Sequence, residues 1–404
     1  MKLRITHLLV LTAIALSASQ MATAQQTSFA APSDELPSQS SILADMLKAN
    51  AYFMRLTPDP SEPTYGGGKR RTSNLWTRAV YYEGLMALQA IHPDPSFFDY
   101  TMRWGEAHEW GPRGSVTTHN ADNQCCEQVY LDMYRLTQDP RMLTKARLNI
   151  DAVVNDPQVH DWWWIDAIQM AMPVYAKMGA ITGERKYYDK MWDLYHYTRD
   201  VHGTAGMFNA KEGLWWRDET FAAPFATPNG KNCYWSRGNG WVLVALIRVM
   251  DETPTTDRHF KQYLRDFRAM CKALKGCQRE DGFWNASLAD PAHFGGPETT
   301  GTSLFVAGMA WGIRHGYLSE KDYLPVVARG WNALHEHALH ADTGFLGFVQ
   351  GTGSDPSAGQ PVTYDKVPDF EDYGLGCYLL AGSEVYRLRA DRFPAAEVRR
   401  HVKN

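Results

Sequence analysis

Two aspartates, an arginine and several tryptophans carry most of the chemistry open to this 404-residue sequence. Asp166 stands in WWWIDAIQMAMPVYAKMG, directly after three tryptophans and, by the apolar spacing, about one turn inside a helix. Burial beside indole rings disfavours an ionised carboxylate, so its pKa is expected to rise and keep a proton available near neutral pH, as a general acid requires. The plainer alternative is an Asp bonded to a helix start or to a nearby Arg, although Asp161 suits the capping position better. Asp122, in HNADNQCCEQVYLDMY, reads equally as an N-cap and as a second acidic group. Two carboxylates at one pocket repel each other and titrate apart, which suits acid/base work.

The segment CYWSRGNGWVLVAL spaces Trp235, Arg237 and Trp241 by two and four, with Gly238 and Gly240 permitting close backbone approach. A guanidinium matches a carboxylate in a two-point fork, and flanking indoles can hold a sugar ring against it. A structural Arg–Asp pair is the other reading. The run GLWWRDE places Trp215, Trp216 and Arg217 in a loop long enough to reach across a barrel mouth or simply to cover it. Thr299 and Thr300, after Glu298, offer hydroxyls for sugar or water. No phosphate-binding glycine loop, dinucleotide fingerprint, H-E-x-x-H or nucleophile elbow occurs, which removes support from most cofactor-driven chemistries and from a zinc-type metal site.

Helical spacing recurs near 42–55, 76–92, 95–108, 122–136, 140–153, 161–182, 184–200, 237–252, 257–277, 299–316, 319–338 and 369–388, while strand-like alternation is scarce. Every second helix opens on distinctive residues, whereas the others open on ordinary ones such as Pro95 and Pro140. If helices pair up and down, the even ones share a direction and their N-terminal ends gather on one face, where free backbone N–H groups favour anions. The expected fold is all-α: a single (α/α)6 barrel of about twelve helices, six inner and six outer, with its active site at the N-terminal ends of the inner helices. Trp76, His119, Trp164, Trp235, Arg237 and Trp241 at those starts, Trp216 in the loop, and Thr299 with Thr300 are the candidate sugar contacts.

Composition agrees with a carbohydrate ligand, since 14 Trp and 20 Tyr supply rings that stack on sugar faces. The net charge of −4, without a basic block, gives no sign of a nucleic-acid partner. Two cations in Met1–Arg4, a short apolar run from Leu8 to Leu16 and the Ala22-Thr23-Ala24 site read as a signal peptide over 1–24. A flexible lead-in over 25–40 and a catalytic domain over 41–404 follow, in an exported, periplasmic protein without a membrane span. The six cysteines lack zinc-site spacing and are expected to be mostly buried thiols.

The runs DNQCCEQ (122–128), WIDAIQMAMP (164–173), WSRGNGW (235–241) and PETTGTSLFVAGMAWGIRHGYL (297–318) together resemble the unsaturated rhamnogalacturonyl and glucuronyl hydrolases of glycoside hydrolase family 105, related to family 88. The resemblance covers roughly residues 41–388. It implies Asp166 as general acid/base, Asp122 as its assistant, and the Trp-x-Arg-x-x-x-Trp motif as lining of the substrate site. It also implies removal of a terminal 4,5-unsaturated uronic acid from an oligosaccharide by hydration of the C4–C5 double bond, with no metal or organic cofactor. Members of that family typically offer a histidine in the loop that here reads GLWWRDE, which has none. A conventional inverting glycosidase, a polysaccharide lyase on the same barrel and a non-catalytic sugar-binding protein are the competing readings.

Overall fold

A computed structural model describes residues 28–66, 69–367, 369 and 372–392; the segment read as a signal peptide lies outside them. Twelve helices of more than ten residues follow one another among the described residues: α1 Gln39–Leu56, α2 Trp76–Ile91, α3 Pro95–Ala107, α4 Glu127–Thr137, α5 Arg141–Asn155, α6 Asp166–Thr182, α7 Arg185–His196, α8 Ser236–Glu252, α9 Phe260–Gly276, α10 Thr299–Arg314, α11 Glu320–Ala333 and α12 Asp372–Arg392. Two short antiparallel hairpins, β1 Thr64–Gly66 with β2 Lys69–Arg71 and β3 Phe208–Asn209 with β4 Leu214–Trp215, interrupt the series.

The alternation read from the helix starts has a spatial counterpart. Helices α2, α4, α6, α8, α10 and α12 contact one another in that order, and α12 returns to α2, which closes an inner ring. Each odd helix lies against an even neighbour from outside. The sequence dictates this division through its polarity. In α6 every residue from Asp166 to Gly179 is buried, and in α10 every residue from Thr299 to Ile313, as a helix enclosed on all sides requires. The outer α9 instead buries a single stripe, Phe260, Tyr263, Phe267, Met270, Cys271 and Leu274. The ring is narrow where α2 meets α12, because a methyl group at Gly376 would lie 2.2 Å from the Val80 carbonyl oxygen.

Three expectations are corrected. The helix expected over 161–182 begins at Asp166, so this carboxylate stands on the first residue, at the positive end of the helix. The helix expected over 122–136 is divided into a turn, Ala121–Gln124, and α4, and the cap is Asn120, whose side chain accepts from the Asn123 N–H at 3.3 Å. The lead-in is bound rather than loose over residues 29–36: Phe29 stacks on His337 with centroids 4.0 Å apart, Leu36 is buried, and Asn332 Nδ2 donates to the Ser33 and Glu35 carbonyls at 2.8 and 3.0 Å. All six cysteines are free thiols, five of them buried. No described helix is long and apolar enough to cross a membrane.

Candidate active site

The N-terminal ends of the inner helices carry acids one after another: Glu127 in the first turn of α4, Asp166 on α6, Glu298 capping α10 and Asp372 opening α12. Two of them are committed, and Glu127 is fully buried with no partner among the described residues. Glu298 accepts from the Thr300 and Gly301 N–H groups at 2.9 and 2.6 Å, and Asp372 pairs with Arg78 at 3.0 Å. Asp166 remains, only 9% exposed, and the chain around it is pinned. The Ile165 N–H donates to the Arg217 carbonyl at 2.9 Å, which ties the GLWWRDE loop to the start of α6. Asn239 on α8 anchors the same loop, its Oδ1 accepting from the Trp215 N–H at 2.8 Å and its Nδ2 donating to the Trp215 carbonyl at 3.0 Å.

Arg217 thereby reaches Asp166. Its Nε–H donates to Asp166 Oδ2 at 3.1 Å and its Nη1–H to Asp218 Oδ2 at 2.7 Å. Burial raises the Asp166 carboxyl above its ordinary range, against the opposing charges of Arg217 and Arg237. Asp122, released from capping by Asn120, makes no competing cap bond and is raised to about 7, by burial first and then by the charge of Asp166. Arg217 and Arg113 oppose that rise. The charge of Asp166, on the first residue of α6, thus acts on Asp122, on the turn before α4, and two such carboxylates can pass one proton to a substrate and take another from water.

Arg237 differs from its expected role. It is 1% exposed, and its Nη1 and Nη2 donate to the Gln350 and Gly351 carbonyls at 2.9 and 2.7 Å, between the rings of Trp235 and Tyr373. The fork expected to clamp a carboxylate holds the 350–351 segment, and only its charge reaches Asp166. Thr299 and Thr300 are also corrected as sugar contacts. Both are fully buried, with hydroxyls donated to the Gly347 carbonyl at 2.8 Å and to Glu298 at 2.6 Å.

Trp235 and Trp241 form a buried layer, with Trp235 Nε1 donating to Gln350 Oε1 at 2.9 Å. Trp76 stands half-buried, its ring 6.4 Å from that of Trp241 and nearly perpendicular to it. His119 Nδ1 lies 3.0 Å from Asp161 Oδ2, so Asp161 holds this imidazole rather than capping a helix. Trp216 is half-buried against Tyr234, and Trp164 is buried beside Trp163. Sequence reasoning missed Trp163, which is 49% exposed and has the Arg217 guanidinium 5.7 Å from its ring centroid. The plainer alternative of an Asp bonded to a nearby Arg is what the structure shows at Asp166, but sequence reasoning did not identify Arg217 as that partner; an Arg-Asp dipeptide in a loop long enough to cross the mouth was the signal. A cavity of about 610 Å³ lies at the opposite end of the ring, lined by residues toward the helix C-termini such as Lys177, Arg248 and Trp311. Its charges pair among themselves, Glu83 with Arg248 and Asp132 with Lys177, which leaves no evident demand for a ligand.

Fold and comparison define the class as a glycoside hydrolase built on an (α/α)6 barrel. More particularly, the chain belongs to glycosyl hydrolase family 88, whose family model matches residues 46–389. A relative from Formosa agariphila, named an unsaturated 3S-rhamnoglycuronyl hydrolase, is 34% identical over 333 residues, which cover 78% of this chain and 84% of that protein. A solved family 88 glycosyl hydrolase from Bacteroides vulgatus superposes with a TM-score of 0.79 at 30% identity, over 87% of this chain and 100% of that one. A solved polysaccharide lyase superposes with a TM-score of 0.77 at 29% identity, over 88% and 99%.

Proposed function

We propose that this protein removes a terminal 4,5-unsaturated uronate from the oligosaccharides that polysaccharide lyases leave behind, and that it does so by hydrating the C4–C5 double bond. The observation that carries this reading is the pair of raised carboxylates, Asp166 at the start of α6 and Asp122 on the turn before α4, with the charge of the first acting on the second. A 4,5-unsaturated uronate is an enol ether. Asp166 donates its proton to C4, and the positive charge that results is shared between C5 and the ring oxygen. Water adds at C5 and surrenders a proton to Asp122 or to the newly ionised Asp166. The C5 hemiketal then opens, and the rest of the sugar chain leaves from C1. This sequence supplies the acid and the base from side chains alone. The substrate class that best fits the relatives is an unsaturated rhamnoglycuronyl oligosaccharide. A leader over residues 1–24 would deliver the enzyme to the periplasm.

Reaction in deuterated water tests the reading. Hydration places one deuterium at C4 of the released acid and none at C1, and methanol added as competing nucleophile gives a methyl ketal at C5. A methyl glycoside at C1 would instead indicate an ordinary glycosidase. Likeness to a polysaccharide lyase supports a second reading, elimination on an intact polymer. Absorbance of the conjugated double bond separates the two, since hydration of an unsaturated disaccharide lowers it and elimination raises it.

A further inference from the structure

One guanidinium, that of Arg217, is shared by two carboxylates. Asp166 is bonded to its Nε and Asp218 to its Nη1, and Asp218 is itself fixed by the Thr220 N–H at 2.9 Å. Nη2, the remaining nitrogen, makes no hydrogen bond among the described residues and is not sealed from solvent. In an arginine, Nε and one Nη share an edge that matches a carboxylate in a two-point fork, and the two Nη atoms share another. A carboxylate that docks through Nη2 must therefore share an edge with Asp166 or with Asp218. On the Nε edge it lies beside Asp166 as a like charge; on the other it lies beside Asp218, and on either it competes with Asp166 for the same cation.

We propose that Arg217 is the docking point for the substrate's carboxylate, and that the arrival of this additional anion on the guanidinium makes Asp166 take up the proton it later donates. Free Asp166 is ionised and held by Arg217; bound substrate claims the cation and leaves Asp166 as the neutral acid. This rests on the hydrolase reading above and assigns to Arg217 the role that Arg237, with both Nη atoms on main-chain carbonyls, does not fill. The other charges around Asp166 are Asp218 from the same loop, Asp122 from the turn before α4 and Arg237 from α8, with Arg113 acting on Asp122. Arg237 and Arg113 each keep an unbonded Nε–H, but both atoms are sealed from solvent, whereas Nη2 of Arg217 is not. Protonation of the pair is thus coupled to the occupancy of one arginine, so neutral sugars that bind the mouth do not arm the acid.

Two measurements on the full chain test this. The first is calorimetry of saturated D-glucuronate binding, which involves no reaction, near pH 7.5 in buffers of different ionisation enthalpy. The wild type should take up a substantial fraction of one proton per uronate bound, and methyl glucoside should cause no uptake. Arg217→Gln should weaken uronate binding by about tenfold or more and abolish uptake, Arg217→Lys should recover part of the binding, and Asp166→Asn should bind without uptake. Asp122→Asn should keep the uptake. Wild-type affinity in Arg217→Gln, retained uptake in Asp166→Asn, or no wild-type binding of glucuronate at millimolar concentration would overturn the proposal. The second is the pH profile with an unsaturated disaccharide: the basic limb should lie at higher pH in kcat, which reports the complex, than in kcat/KM, which reports the free enzyme. The two limbs should coincide in Arg217→Gln. Turnover with coincident wild-type limbs sinks this coupling and leaves the hydrolase reading standing. Proton uptake on binding without turnover does the reverse.

Discussion

At the scale of single residues, the proposed chemistry turns on two carboxylates, Asp166 and Asp122, the charge of the first acting on the second. Burial lifts both, and the charge of Asp166 carries Asp122 to about 7. They titrate as a pair, and turnover requires the singly protonated form, so activity should fall on both sides of a maximum near neutral pH. Replacing Asp122 with Asn removes a neighbouring negative charge, which lets Asp166 ionise at lower pH; the basic limb of kcat/KM should move acidward and kcat should fall. Asp166→Asn should lower kcat by about 10³-fold or more while leaving fold and uronate binding in place, given the magnitudes typical of a lost proton donor. Rates of the two variants across pH 5–9, with circular dichroism as the folding control, check both statements. An Asp166→Asn variant within a few-fold of wild type would remove this residue from the mechanism.

At the scale of elements, the division of the expected 122–136 helix has a consequence for stability. Because Asn120 caps the turn and Cys125–Cys126 redirect the chain, Glu127 enters the interior on the first turn of α4. Its carboxyl is fully buried, and neither oxygen has a partner among the described residues. Burial pushes its pKa well above the ordinary 4.5, so the folded protein keeps a proton that the unfolded chain releases. A raised folded-state pKa means that stability is fully present below about pH 4.5 and declines as pH rises toward the folded value. Glu127→Gln, which needs no proton to be neutral, should match the wild-type Tm near pH 4 and exceed it at pH 8, by about 2 °C or more. Thermal unfolding at both pH values decides the matter, and an unchanged difference between them would mean that Glu127 is ionised inside the protein.

At the scale of the whole molecule, the ring closes through direct α2–α12 contact, and the strap over residues 29–36 fastens the exterior. Phe29 stacks on His337 and lies 5.9 and 6.3 Å from the rings of Phe348 and Phe283, so it joins the loop before α10 to the segments after α11. Phe29→Ala should destabilise by about 1–3 kcal/mol, less than a fully buried aromatic because the ring is partly exposed. It should leave kcat unchanged, since the strap touches none of the residues placed at the acid pair. A lowered Tm with unaltered turnover is the expected outcome; an unchanged Tm would mean that the strap adds nothing to the barrel.

The periodicity of apolar residues and the alternation of helix starts were enough to define the architecture, because burial on all sides or on one stripe is written directly into α6, α10 and α9. The same reasoning singled out Asp166, with an Arg-bonded carboxylate as its plainer alternative, and it narrowed Asp122 to two readings; the structure shows the Arg217–Asp166 bond. What it could not find was which donor faces which acceptor. The sequence favoured Arg237 as the cation for a carboxylate; only the paths of the 350–351 segment and of the Trp215–Arg217 loop leave Arg237 on main-chain carbonyls and Arg217 on Asp166. Caps were settled in the same way, with Asn120 rather than Asp122 satisfying the turn and Asp161 turned to His119. Periodicity records how much of a side chain must leave water, a property each residue carries in its own chemistry. Hydrogen-bond partners are chosen by loops that bring residues more than a hundred positions apart within 3 Å, and nothing local in the chain encodes that choice.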